Sequence, residues 1–168
     1  MSAPADSQPV TILCMKWGDY YGPEYANRLY YSVRRNLRRP FRFICFTDNA
    51  EGLASGIEAL PLPDAEAGGS QDLRWRKVSV FKPDLFGLSG PALFLDLDTV
   101  VVGGLDELFE LPGEFIVCHE RSLFSKPMRN IRRALLSRKR YRQANAEGNT
   151  SVFRFNIGEM GQVWEHYR

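Results

Sequence analysis

At 168 residues the chain is long enough for one domain with a buried core. Its 44% hydrophobic and 25% charged content is that of a globular protein, and a net charge of +2 excludes the global field that non-specific nucleic-acid binding needs. No apolar run reaches the length of a membrane span, and Met1-Ser2-Ala3-Pro4-Ala5-Asp6 lacks the basic and apolar regions of a secretion signal. A cytoplasmic location is the expectation. Cys14, Cys45 and Cys118 are scattered, each in or beside an apolar run, and read as three small buried hydrophobes in a reducing compartment.

In chain order, residues 1–9 read as a flexible tail and residues 10–168 as a single domain. Val10–Met15 is a first strand, and Trp17-Gly18-Asp19-Tyr20-Tyr21-Gly22 a turn-rich loop. Pro23 and Glu24 suit a helix start, after which Tyr25, Leu29, Tyr30 and Val33 recur at helical spacing. Arg42–Thr47 is a second buried strand, closed by Asp48-Asn49, and a short strand is expected near Ile57–Leu60. A helix over Asp72–Phe81 should stop before Pro83.

The strand Ala92–Leu95 follows, then a turn, a short strand at Val100–Val102 and a helical turn at Leu105–Leu108. Phe115–His119 and Asn149–Phe155 are further strands, and Glu159–Tyr167 begins a helix. Strands alternating with helices predict an α/β fold with a mostly parallel, doubly wound sheet and helices on both faces. No glycine-rich phosphate loop is present.

The most informative run is Pro91-Ala92-Leu93-Phe94-Leu95-Asp96-Leu97-Asp98-Thr99. It carries two carboxylates to the carboxyl end of an apolar strand, where open α/β sheets bind their ligands. Carboxylates that close repel unless a cation or proton stands between them. Oxygen-only ligands suit a hard divalent ion, Mn²⁺ or Mg²⁺, which keeps positions open for phosphate oxygens. Asp96 and Asp98 are therefore candidate metal ligands at a metal–diphosphate site. The same residues also fit a strand-end turn in which Asp98 caps the next segment and Asp96 is solvated.

These residues resemble those of a GT-A glycosyltransferase, near family eight. The ordered signals are the strand and loop Thr11–Tyr21, the strand ending Phe46-Thr47-Asp48, the helix with Trp75-Arg76-Lys77, the Leu-Asp-Leu-Asp-Thr turn, and Asn149-Thr150-Ser151-Val152. Together they cover most of Val10–Val163. The last is similar to the family's Asn-Ser-Gly-Val strand, with Ser151 in place of the usual glycine. The family's later histidine, a third metal ligand in a His-x-x-Gly-x-x-Lys context, has no counterpart here, so the chain is expected to lack the C-terminal part of such a domain.

The resemblance implies a GT-A fold and metal-dependent transfer of a hexosyl group from a nucleoside-diphosphate sugar, UDP by expectation. It implies donor contacts from Met15, Lys16, Trp17, Tyr20, Asp48, Lys77, Asp96, Leu97, Asn149 and Ser151. Asp98 would be the direct metal ligand, while Asp96 would bond the ribose or act through water. Lys77 reads equally as a fixed cation on the phosphates or a solvated lysine. Asp48 reads equally as a base or ribose contact or a turn cap.

From Arg121 to Arg142 there are nine Lys/Arg and no acid. This is either a solvated face or a mobile acceptor-side flap that recognises an anionic saccharide, a lipid-linked acceptor or the inner membrane face. The sequon Asn149-Thr150-Ser151 is a chance match without secretion. Two other functions compete: an inactive or truncated nucleotide-sugar-binding module, supported only by the expected lack of a C-terminal segment, and a haloacid-dehalogenase-type phosphatase with Asp96 as nucleophile, whose motif usually opens the chain.

Overall fold

The computed structural model describes residues 9–63, 73–119 and 148–167; for residues 73–75, 119 and 167 it describes the backbone alone. Strand β1 (Val10–Lys16) is followed by helix α1 (Pro23–Asn36), then β2 (Phe41–Thr47) and β3 (Glu58–Leu60). A 3-10 helix covers Leu73–Phe81, β4 covers Gly90–Leu95, and a short 3-10 helix covers Asp106–Phe109. Strands β5 (Ile116–His119) and β6 (Gly148–Ile157) and helix α2 (Gly161–Tyr167) complete the order.

The six strands form one sheet in the order β3-β2-β1-β4-β6-β5. β1 pairs in parallel with both β2 and β4, and β2 with β3. The strand expected over Asn149–Phe155 is present as β6 and runs antiparallel to β4. The fold is thus the α/β, mostly parallel architecture expected from the sequence.

Alternation along the strands sends residues to two faces. On one face Val10, Ile12, Cys14, Phe43, Cys45, Leu93 and Leu95 meet Ala26, Leu29 and Val33 of α1 in one core cluster. α1 begins at Pro23, whose missing N–H costs nothing in the first turn, with Glu24 at its positive end. The other face is aromatic. Phe94 stacks on Phe153 at 4.9 Å, and Phe81 of the first 3-10 helix meets Phe155 at 5.0 Å. Removing each such ring from water stabilises the fold by roughly 1.5–3 kcal/mol.

Three expectations change. The segment before Pro83 is a nine-residue 3-10 helix. Ser79 Oγ donates to the Arg76 carbonyl at 2.6 Å and so competes for it, and β-branched Val78 and Val80 resist α packing. Val100–Val102 is not a strand, because both edges of β4 are already filled by β1 and β6. The chain turns off the sheet through Thr99 N–H to the Asp96 carbonyl at 3.0 Å, leaving Val100 and Val102 79% and 89% exposed. Cys14 and Cys45 are buried as expected, but Cys118, on edge strand β5, is exposed.

The chain divides into two compact units, residues 1–116 with 151–168, and residues 117–150. In the second, the described residues are the strand ends Val117–His119 and Gly148–Thr150. The tail 1–8, the start of the expected helix at Asp72, and the basic segment Arg121–Arg142 with its helix and flap lie outside the described residues.

Candidate donor site at the carboxyl end of the sheet

β1, β2 and β4 are parallel, so their carboxyl ends bring Lys16-Trp17, Thr47-Asp48 and Leu95-Asp96 to one end of the sheet. The first 3-10 helix supplies Lys77 above them. In a 3-10 helix, side chains three apart eclipse, so fully buried Val80 fixes Lys77 on the same side. Lys77 Nζ donates to both carboxylate oxygens of Asp96, at 2.9 and 3.0 Å, and lies 5.7 Å from the centroid of the Phe94 ring. The pair is partly buried, with side chains 23% and 28% exposed.

Asp96 is held from the other side as well. Its backbone N–H donates to the Ser151 carbonyl at 2.9 Å, so antiparallel β6 sets the start of the Asp96–Thr99 turn. Leu97 points into the core and anchors that turn. Asp98 is exposed and makes no hydrogen bond or ion pair among the described residues. Tyr21 is close enough to register both carboxylates: burial raises its phenol, and the negative charge of Asp98 and, more weakly, Asp96 raises it further.

The loop after β1 is tied to the end of β2. Gly18, at φ +60°, turns its N–H to Asp48 Oδ2 at 2.9 Å, a conformation that glycine adopts without strain. Asp48 therefore serves as a loop tie here. Arg76, one residue before Lys77, sets its guanidinium 5.9 Å from the Trp17 ring. Tyr20 is 86% exposed and packs edge-on against Tyr21, which in turn meets Tyr25.

The expected donor residues thus fall into groups. Lys77 and Asp96 are joined directly, Trp17 and Asp48 hold the adjoining loop and strand end, and Tyr20 stands open beside them. Met15 and Leu97 are core side chains. Lys16 is also buried; its charge, after the Cys14 hydrogen bond, helps to lower the Cys45 thiol against burial, while the Cys14 thiol is raised. Ser151 belongs to the same unit as Asp96, whereas Asn149 lies near the start of β6 in the other unit.

One residue of this region was not among those expected from the sequence: Arg76 carries no signal beyond its place beside Lys77. Tyr21, like Tyr20, reads from the sequence either as a stacking surface for a base or as core edge. Among the described residues there is no cluster of three or more His, Cys, Asp or Glu side chains.

No protein-family model matches the chain, and no curated protein sequence matches it. Solved structures do. The apo form of the glycosyltransferase GlyE from Streptococcus pneumoniae TIGR4 superposes with a TM-score of 0.52 at 18% identity, covering 93% of this chain and 36% of GlyE. The apo bifunctional glycosyltransferase WbbM gives 0.58 at 15%, covering 96% of this chain and 34% of WbbM. The galactosyltransferase LgtC, solved with donor and acceptor sugar analogues, gives 0.58 at 15%, covering 94% and 64%. The chain thus has the fold of these glycosyltransferases and spans between about a third and just under two thirds of their length.

Proposed function

We propose that this chain is the nucleotide-sugar-binding part of a glycosyltransferase and moves a hexosyl group from a nucleoside-diphosphate donor, UDP in the first instance, to an acceptor. The observation that carries this reading is the Lys77–Asp96 pair with Asp98 beside it, at the ligand-binding end of a sheet of glycosyltransferase fold. A leaving nucleoside diphosphate gains negative charge, and a cation fixed before the reaction stabilises that charge without reorganisation. Lys77 is such a cation, held by Asp96.

The residues present fit a divalent ion. Asp96 and Asp98 offer only carboxylate oxygens, the donor type that Mn²⁺ and Mg²⁺ take, and Asp98 is exposed. Bound there, the ion would supply electrostatic stabilisation to the departing diphosphate. Asp98 would hold it directly, while Asp96, already gripped by Lys77, would orient Lys77 and the ribose. Trp17 and exposed Tyr20 offer aromatic surface for the base.

Titration calorimetry with UDP, with and without Mn²⁺, tests the reading. Wild type should bind in a metal-dependent way and Asp98→Ala should lose that dependence. Equal, metal-independent binding by both proteins would remove the metal role, and absence of binding by wild type would remove the donor site.

A further inference from the structure

We propose that the outward face of α1 is a docking surface for an anionic lipid bilayer. This rests on the helix alone and does not depend on the transferase reading. Between Tyr25 and Thr47 the chain carries six arginines and no Asp or Glu. Two of the six are matched: Arg39 lies 3.5 Å from Asp106 and 3.4 Å from Glu110, and Arg42 lies 2.8 Å from Glu58. The other four, Arg28, Arg34, Arg35 and Arg38, are exposed and have no carboxylate partner among the described residues.

Their placement is ordered. Arg28, Tyr31 and Arg35 recur at i, i+3 and i+7, which puts them on one stripe of the helix, with Arg34 beside it. The opposite stripe, Ala26, Leu29 and Val33, is buried against the sheet, so the basic stripe is held outward on a rigid support. Helix stability does not account for it. Arg34 and Arg35 in the last turn do complement the helix dipole, but Arg28 lies outside that turn, where the effect has faded.

What the stripe fits is a plane of phosphates. Guanidinium forks pair phosphate oxygens two at a time. Arg28 and Arg35 stand seven residues apart on the helix, about 10 Å along its axis, so a flat surface can meet both at once. Tyr31, 45% exposed in the middle of the arginines, adds an apolar body with a polar tip, the kind of side chain that sits at headgroup level. A nucleic-acid backbone would be met by charge alone. The headgroup layer also uses Tyr31.

Co-sedimentation of the full 168-residue chain with vesicles tests this. Binding to phosphatidylcholine mixed with phosphatidylglycerol should exceed binding to phosphatidylcholine alone at least tenfold, and weaken with added salt. Arg28→Glu with Arg35→Glu should remove that excess. Arg28→Lys with Arg35→Lys should keep most of it, and Arg28→Gln with Arg35→Gln provides a neutral pair should charge reversal disturb folding, as judged by circular dichroism. A fourth variant replaces the Lys and Arg of residues 121–142 by Gln and should retain the excess. Three results overturn the proposal: equal binding to both vesicles, an excess lost only in the 121–142 variant, or tighter binding to a DNA duplex than to anionic vesicles.

Discussion

Lys77 reaches both oxygens of Asp96, at 2.9 and 3.0 Å, across 19 residues of sequence, joining the 3-10 helix to the turn that follows β4. Because the pair is partly exposed, its share in folding stability is small, and its effect should appear in ligand affinity. Lys77→Ala is expected to weaken UDP binding about tenfold while lowering stability by no more than about 1 kcal/mol. Calorimetry and thermal melts on the same protein measure both. A large loss of melting temperature with unchanged affinity would make Lys77 structural.

Tyr21 reports on the neighbouring carboxylates. Burial raises its phenol first, and Asp98 is the next cause. Ionising the ring beside an existing negative charge is unfavourable, so Asp98→Asn should let Tyr21 ionise at lower pH than in wild type. Ultraviolet difference titration, with Tyr21→Phe identifying the signal, reads this shift. An unchanged titration would place Asp98 too far away to matter.

Asp106 clamps the turn after α1 by accepting backbone N–H bonds from Arg38 at 3.1 Å and Arg39 at 3.3 Å. Burial acts to raise its carboxyl, but these bonds and the Arg39 side chain outweigh it and hold the group below its ordinary value. The folded value lies below the unfolded one, so the stabilisation is complete above the unfolded value, about pH 4, and fades as pH falls through the folded value. Asp106→Ala should cost about 1–2 kcal/mol at neutral pH and progressively less under acid. Urea melts across that pH range test it.

Phe94 and Val100 make a contrasting pair. Phe94 is 1% exposed and stacks on Phe153, so Phe94→Ala should cost about 3–5 kcal/mol. Val100 is 79% exposed, so Val100→Ala should change stability by no more than about 0.5 kcal/mol. Equal effects in denaturant melts would contradict the burial of Phe94 and the exposure of Val100.

The core strands were legible because their burial is continuous: Ile12–Met15 and Ile44–Phe46 read as apolar runs, and both are covered on two faces. The Asp-x-Asp turn was legible because two carboxylates crowded at the end of such a run repel each other unless a cation joins them. What escaped the sequence depended on partners distant along the chain. Val100–Val102 has the composition of a strand, yet both edges of the preceding β4 are taken by β1 and β6. The direction of β6 is set by its pairing with β4, which no local pattern encodes. Met15 and Leu97 lie in the segments expected to carry the site, but their side chains are buried in the core, and the contact of Arg76 with Trp17 joins residues far apart in sequence.

The place of β1 inside the sheet bears on how the chain comes into being. One of its edges is met early, by Phe41–Thr47, but the other must wait for β4, since Thr11 pairs with Ala92. During synthesis a fully buried strand therefore leaves the ribosome with one row of N–H and C=O groups unmatched until more than half the chain has emerged. Such an edge is a template for pairing with a neighbouring nascent chain. Pairings this distant in sequence also close slowly, because the loop entropy is lost before the contacts form. Yield in expression should accordingly respond to slower translation or to chaperone supply more than to substitutions on the folded surface.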